Sequence, residues 1–329
     1  WSLMDSAANV NLNGICFTGT SKGYIAGDNG VLLTTNANGQ WISMESGTHY
    51  HMNAVAAATD EKVYAAGYKG LILKKTGETW EITESPTIHA LYCIDFGSNS
   101  VGVAAGDSGT ILRTTDGGDN WNLVDVSYNA AFLDVYFPSE SIGYLAGQQG
   151  LILKTTDSGA SWTDISYSQV ETNLLSIHFY NDTTGYACGA NGVILYTENG
   201  GANWIFKNMP TTLSFNEIIQ LHPRMDSICD SVIVCGDYGV IYRTDTCGQD
   251  LLNVTHGSAY TLSSIQFPKE NEGYAVGGDP FGNKPFIIHT GDGDNWEEIQ
   301  IDTINRYLTG IDFINPWTAY ISSTAGTIY

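Results

Sequence analysis

The chain has 329 residues, with 13 lysines and arginines against 35 aspartates and glutamates, a net charge of −22. A surface this acidic repels nucleic acid and anionic lipid, both of which need a basic footprint. No apolar run approaches the length that spans a bilayer, and no signal peptide is visible, although a mature chain beginning at Trp1 would look the same.

Read from the N-terminus, the sequence repeats. A tryptophan strand opens each unit, at Trp1, Trp41, Trp80, Trp121, Trp162, Trp204, Leu251 (a leucine in the tryptophan place) and Trp296, and the units run from 34 to 47 residues. Self-similarity at this period signals a propeller or a solenoid. After the tryptophan strand comes an apolar strand such as Phe132–Phe137, then Gly143–Ala146, then Leu151–Leu153. Four short strands without a helical period are the content of one propeller blade. The expected fold is all-β: a single closed β-propeller of four-stranded blades filling one domain, 1–329. Second strands near Tyr24, Tyr64, Val103, Tyr144, Tyr186, Ile233, Tyr274 and Tyr320 predict eight blades, with seven as the alternative. The last unit lacks a fourth strand, and Trp1–Asp5 is a spare one; pairing them would close the ring and hide two sheet edges.

Two turns recur. The first joins the second and third strands, as in Gly27–Gly30, Gly67–Gly70, Gly106–Gly109, Gly147–Gly150, Gly189–Gly192 and Gly236–Gly239. Two-residue hairpin loops need positive φ, which Gly, Asn and Asp tolerate best, so these turns read as structural. The second turn follows the third strand. Thr114–Trp121 and Thr155–Trp162 fit the pattern S/T-x-D-x-G-x-x-W, and Thr197–Trp204 fits with Asn199 in the Asp place. Asp116, Asp157 and Asn199 can accept turn amides, the glycine admits positive φ, and Trp121, Trp162 and Trp204 cover the turn from the core side. Other copies are weaker. Asn38 replaces the glycine before Trp41, Lys74–Trp80 is one residue short, the pattern is lost around Gly291, and Thr244–Leu251 has neither the Asp nor the Trp.

These turns, together with the Gly-Tyr-x-Ala-Gly second strand, resemble the Asp-box or BNR repeats of the photosystem II assembly and stability factor propellers. The resemblance covers the whole chain. It implies a β-propeller that works as a binding scaffold outside the cytoplasm, with the Asp boxes as turn staples and no catalysis in them. The acidic balance departs from that family, in which a basic patch contacts partners. Here Lys74, Arg113, Lys154 and Arg243 share one repeat position and read as the solvated ends of third strands.

Of six cysteines, Cys188 and Cys235 stand where other units have Ala26, Ala66, Ala105 and Ala146. That position suits a free thiol packed as a small hydrophobe, as do Cys16 and Cys93 on first strands. Cys229 and Cys247 fall in loops leaving the same end of the sixth unit. A Cys229–Cys247 disulfide is expected there, replacing the missing Asp/Trp staple; it would contribute about 3 kcal/mol in the chain-entropy model and imply an oxidising compartment. Two unpaired thiols are the alternative. No Cys/His spacing resembles a zinc site, and no metal or cofactor is expected.

In an up-and-down blade, alternate loops go to opposite ends. The Gly-x-x-Gly turns and the blade-to-blade loops share one end, where His49, Tyr50, His51, His89, Tyr128, Tyr167, His256, Tyr260, Arg306 and Tyr307 are the candidate binding residues. Asp28, Asp107, Asp237 and Asp279 add carboxylates from the short turns. A ring of Tyr and His suits stacking and hydrogen bonding with an extended peptide or a sugar; the same residues could simply cap the funnel between blades. The enlarged hairpin Gly277–Pro285 at this end reads as a specificity loop. A polar row also runs through the first strands: Cys16, Ala56, Asp95, Tyr136, His178, Gln220, Gln266 and Asp312. Period-two alternation turns it toward the central channel. Channel water accounts for the row, and a bound ion would be anchored by Asp95 and Asp312.

Enzymatic readings fit poorly. Sialidases hold a carboxylate with three arginines, whereas Arg113, Arg224 and Arg243 point to the Asp-box end and only Arg306 to the other. A glycoside hydrolase needs a carboxylate pair, such as Glu171 with Asp107, held about 5 to 10 Å apart. No nucleophile elbow, Walker loop or dinucleotide fingerprint is present. The expectation is an extracytoplasmic, non-catalytic, monomeric scaffold for a protein or glycan, without nucleic-acid binding or membrane insertion. The alternative is a carbohydrate-active hydrolase of the Asp-box propeller type.

Overall fold

Gly143–Gly147 is buried from end to end, and so are its counterparts Val63–Gly67, Gly102–Gly106 and Gly185–Gly189. A strand covered on both faces needs a packed layer on each side. The computed structural model, which describes residues 8–19, 22–221, 231–244, 251–269, 271–279, 284–301 and 306–328, supplies them as antiparallel sheets set around a ring. The innermost strands, in order, are Leu12–Thr18, Met52–Ala57, Leu91–Phe96, Phe132–Tyr136, Leu174–Phe179, Phe215–Leu221, Thr261–Gln266 and Leu308–Asn315. Each lies beside the next, and the last returns to the first. Seven sheets have four strands, ordered from the inside outward. The eighth pairs Leu308–Asn315 with Thr318–Ser323, and Ile328 bridges to Ser322. Complete four-stranded blades therefore number seven, the alternative count rather than the expected eight. The eighth sheet holds two strands among the described residues, and the expected closing strand Trp1–Asp5 lies outside them.

The inner strands are sewn together across the seams between sheets. Asp95 Oδ2 accepts the Phe137 amide of the next sheet at 2.9 Å, Asp134 Oδ2 accepts that of Ile177 at 2.8 Å, and Glu217 Oε2 accepts that of Ile265 at 2.6 Å. Ser176 and Ser264 offer their hydroxyls in the same way to the amides of Ile218 and Ile311, each at 3.4 Å. Asp312 takes the amide of Phe17 and so links the eighth sheet to the first. Asp95 and Asp312, the anchors that a channel ion would have used, spend their oxygens inside the wall. The register also corrects the polar row. His178 pairs with Tyr186 and Gln266 with Tyr274, but the sixth member opposite Ile233 is Ile219, with Gln220 one residue beyond. Two consecutive isoleucines, Ile218 and Ile219, hide the alternation at that point.

Outside the seam, aromatic rings do the packing. Tyr64 of the second sheet lies 5.3 Å from Phe96 and 6.1 Å from Trp121 of the third. Tyr144 stacks on Phe179 of the fifth sheet, and Tyr320 of the eighth sits 5.4 Å from Phe17 and 5.5 Å from Trp41 of the first. Such pairs contribute about 0.5–1.5 kcal/mol beyond their burial. Close approach explains both glycines of the repeat core. A Cβ on Gly143 would lie 2.5 Å from the Phe137 ring, and one on Gly147 would lie 2.3 Å from the Ala131 carbonyl, where the inner strand bulges.

The turns after the third strands close through their side chains. Asp116 Oδ1 takes the Thr114 hydroxyl at 2.8 Å and the Asn120 amide at 2.9 Å, and Oδ2 takes Asn120 Nδ2 at 2.7 Å. Asp157 and Asn199 do the same with Ser161 and the Asn203 amide. Partial burial pushes the Asp116 carboxyl up, but the bonds from Asn120 and Thr114 outweigh it and hold the group at about 2. Trp121 and Trp204 are buried over their turns, and Trp162 is half-buried. A further copy appears where the pattern looked lost: Asp292 takes the Thr290 hydroxyl and the Asn295 amide, in a turn one residue shorter. The four cations at one repeat position are not solvated strand ends. Each reaches the corresponding turn of the following sheet: Lys74 to Asp119, Arg113 to the Ser158 carbonyl, Lys154 to the Gly200 carbonyl and Arg243 to Asp294. Cys93, Cys188 and Cys235 are free and buried and Cys16 is half-buried, whereas the expected Cys229–Cys247 disulfide lies outside the described residues.

Two outcomes follow for stability. Burial pushes Asp95 and Asp312 up to about 6 and Asp134 and Glu217 up to about 7, in spite of the amides they accept. Unfolded carboxyls titrate near 4, so between about pH 4 and 7 the folded chain keeps protons that the unfolded chain releases. Stability is therefore lost as pH rises through that window. Asp134→Ser, which installs the hydroxyl already used at Ser176 and Ser264, should partly flatten the fall in Tm from about pH 4 to 7; an unchanged slope would remove Asp134 as a contributor to it. Gly143→Ala should lower stability by about 2 kcal/mol in denaturant melts, because a methyl group there displaces the Phe137 ring.

Candidate ligand-binding face

One end of the ring is built from two kinds of loop that hydrogen-bond each other. The amides of Tyr68, Asp107, Gln148 and Asp237, in the Gly-x-x-Gly turns, bond the carbonyls of His51, Ala90, Ala131 and Ser214 in the sheet-to-sheet connections at 2.8–3.0 Å. Turns and connections thus share a face, as the strand order requires. Positive φ does not fall on the Asp of these turns. It falls on the next residue and the closing glycine, as at Asn29 (56°) and Gly30 (75°). Only Asn29 and Asn191 carry the residue type suited to that site; Lys69, Ser108, Gln149 and Tyr238 occupy it elsewhere. A bulky side chain in the left-handed region costs about 1 kcal/mol or more. Tyr238, at φ 55°, is the bulkiest of them, and its side chain is 61% exposed. Strain held by a side chain that packs so little is a pointer to function.

The sequence-predicted residues separate into two groups. His49, Tyr50 and His89 are exposed. His51 sets Nδ1 2.8 Å from Asp28, which also accepts the side-chain amides of Asn11 and Asn13. The His51 ring lies 5.2 Å from Tyr68, and Lys69 Nζ donates to the Tyr50 hydroxyl at 3.0 Å. Tyr50, His51, Tyr68 and Lys69 therefore form one cluster over the first two sheets. Tyr128, Tyr167, His256 and Tyr260 are half-buried caps. Tyr128 and Tyr167 pack on the cores of the third to fifth sheets, and His256 and Tyr260 lie 5.5 and 5.1 Å from Phe286. Tyr307 bonds the Ser263 hydroxyl, and Arg306 is half-buried beside it. The enlarged hairpin of the seventh sheet extends its ladder outward to Asp279 and Lys284. Tyr68 and Tyr238 escaped the sequence reading because their turns were read as structural; the available signal was a bulky residue in a position made for Asn or Gly.

Two grooves open on this face, one sheet apart. The first, about 580 Å³, runs between Pro86–His89 and Leu123–Val126. The second, about 460 Å³, is walled by Tyr128, Gln149, Asp164, Tyr167 and Glu171. Glu171 lines the second groove and Asp107 lines neither, so the carboxylate pair weighed for hydrolysis is not assembled in one groove. A third cavity, about 330 Å³, belongs to the channel wall and includes Asp134, Glu217, His178 and Gln266. Burial holds the His178 imidazole down at about 4, so it is neutral at pH 7, and its ring lies 4.3 Å from Tyr136. Arg113 and Arg243 are tied to turns at the opposite end, and Arg224 lies outside the described residues. Among the described residues, no group of three His, Cys, Asp or Glu side chains could hold a metal ion, and no helix is long and apolar enough to cross a membrane.

The profile of a family described as photosynthesis system II assembly factor YCF48 matches residues 73–169 and 119–251, which together span more than half of the chain. A search of curated protein sequences gives no match. Among solved structures, one described as YCF48 bound to D1 peptide superposes with a TM-score of 0.63 at 15% identity, covering 100% of this chain and 93% of that one. YCF48 from Cyanidioschyzon merolae gives 0.61 at 14% identity, covering 100% of this chain and 97% of the other. The computationally designed Ika8 protein gives 0.77 at 13% identity over 99% and 97% of the two chains. At these identities the superpositions establish the fold alone.

Relief of the strained turn gives a direct check on the face. Tyr238→Asn should raise the free energy of unfolding by about 1 kcal/mol, read from denaturant melts. A destabilised variant would mean that the tyrosine is held by packing.

Proposed function

The chain belongs to the family of the photosystem II assembly factor YCF48, and on that premise we propose that it is a non-catalytic scaffold whose loop face holds an extended polypeptide segment outside the cytoplasm. The observation that carries this reading is the concentration of exposed tyrosines, Tyr50 at 43%, Tyr68 at 46% and Tyr238 at 61%, on the end that also bears the two grooves. Tyrosine offers a large contact area at small cost in conformational entropy and is enriched at binding hot spots. A peptide was the ligand in one solved relative, a YCF48 bound to D1 peptide, and placing a polypeptide on this chain follows that kinship. The extracytoplasmic setting rests on kinship as well.

The hydrolase reading has one feature in its favour, the channel cavity that brings in Asp134 and Glu217, both raised by burial. Each of these carboxylates already accepts a backbone amide of the next sheet. A catalytic acid or base would have to give up that seam contact in order to act, which supports the scaffold over the enzyme.

A peptide array and a glycan array, each probed with the wild-type chain, with Tyr50→Ala/Tyr68→Ala/Tyr238→Asn and with Trp317→Ala, separate the possibilities. Trp317 is 81% exposed at the opposite end, on the Asn315–Thr318 turn. The loop-face variant should lose about tenfold or more in peptide affinity, the range expected when hot-spot tyrosines are truncated. Loss confined to Trp317→Ala would move the site to the other end, and shortened glycans would replace the scaffold with an enzyme.

A further inference from the structure

The charges of this chain are sorted between its two ends. Lys62, Lys74, Arg113, Lys154 and Arg243 all reach the Asp turns of following sheets and are consumed there. On the loop face the described cations are Lys69, which lies on Tyr50, Lys207, which lies over the Tyr196 ring on the outer strand of the fifth sheet, and Lys284 and Arg306 at the seventh-to-eighth-sheet side. Neither groove is lined by a lysine or an arginine. The first groove is lined by Asp125 and the second by Asp164 and Glu171.

The second groove has the more developed chemistry. Tyr128 and Tyr167 stand on its walls. The Tyr167 ring continues outward into Phe206, parallel within 4° at 6.5 Å, and Phe206 is 40% exposed. Asp164 takes the Ser166 amide at 2.8 Å and the Tyr128 hydroxyl, which fixes its carboxylate against the aromatic wall. Aromatic faces beside anchored carboxylates, in a groove without a cation of its own, complement a guanidinium or ammonium group: the ring takes the flat face and the carboxylate takes the N–H donors. The first groove, one sheet away, repeats a carboxylate beside the apolar Ile88, Leu123 and Val126. The chain's net charge of −22 adds a long-range pull on a cationic partner.

We infer that the loop face takes an arginine- or lysine-bearing extended segment, with one basic side chain seated between Tyr128 and Tyr167 against Asp164 and Glu171. The inference rests on the scaffold reading and gives its partner a sign.

The test is fluorescence anisotropy with three labelled peptides of equal length, in which serine alternates with arginine, with citrulline or with glutamate. The arginine peptide should bind, more weakly as salt rises, and the other two should bind at least about tenfold more weakly. Asp164→Asn/Glu171→Gln, which removes both charges and keeps an acceptor oxygen at each position, should weaken the arginine peptide by about fivefold to tenfold. Equal binding of the citrulline peptide would overturn the inference and leave the scaffold reading standing. So would arginine-peptide binding that is insensitive to Asp164→Asn/Glu171→Gln but lost in Tyr50→Ala/Tyr68→Ala/Tyr238→Asn. Failure of all three peptides would sink the inference together with the extended-segment reading beneath it.

Discussion

The ring depends on what happens to the backbone amides of the inner strands. Where the sheets converge on the channel, each inner strand pairs only within its own sheet and presents amides to the neighbouring one. An amide buried without a partner costs about 1–3 kcal/mol. The chain meets this with side-chain acceptors at two positions of the preceding inner strand, Asp134, Ser176, Glu217 and Ser264 at one and Asp95 and Asp312 at the other. Serine meets the need without a charge to desolvate. Aspartate and glutamate reach further and fix two amides at once, as Asp134 does with Val135 and Ile177, at the cost of a raised proton affinity.

With the seam fixed, the rest of each sheet has little freedom. The phenylalanine at the end of the inner strand lies on the glycine that opens the second strand, the tyrosine after that glycine stacks into the next sheet, and the closing glycine clears the carbonyl of the bulged inner strand. The cation at the end of the third strand then ties the next Asp turn. Three layers of inter-sheet contact, at the channel, in the middle and at the Asp-turn end, use the same direction around the ring. The loop face is tied by backbone bonds between turns and connections, with side-chain bonds at Asp28, Gln148 and Asn173 beside them.

What could be read from the sequence follows from how local each contact is. The Asp turns close within eight residues, so Asp116, Asp157 and Asn199 were legible with their tryptophans. Asp292 was not, because its turn is one residue shorter and breaks the spacing while keeping the bonds. The seam and the cation ties join residues roughly one sheet apart, as Asp134 with Ile177 or Lys154 with Gly200, and nothing in a single repeat announces such a partner. Asp95 and Asp312 were legible on the inner strands but their seam partners were not, since alternation locates a side chain without saying which amide it meets. Of the candidate binding residues, the face was legible from strand order. The division between exposed Tyr50 and capping Tyr260 was not, because it depends on Phe286 lying beneath the latter.

The same division of labour bears on function. A residue engaged in the seam or in the Asp-turn ties cannot be released for chemistry without loosening a sheet boundary, and the two carboxyls raised highest among the described residues, Asp134 and Glu217, are so engaged. Perturbed titration is a usual mark of a catalytic site, but here it marks the joints of the ring. Tyr50, His89 and Tyr238 take part in neither the seam nor the Asp-turn ties; they lie on loops, exposed, and in the last case strained. A ring that spends its seam carboxylates and third-strand cations on its own closure, and leaves exposed aromatic groups at one end, favours the scaffold proposal over the enzymatic one.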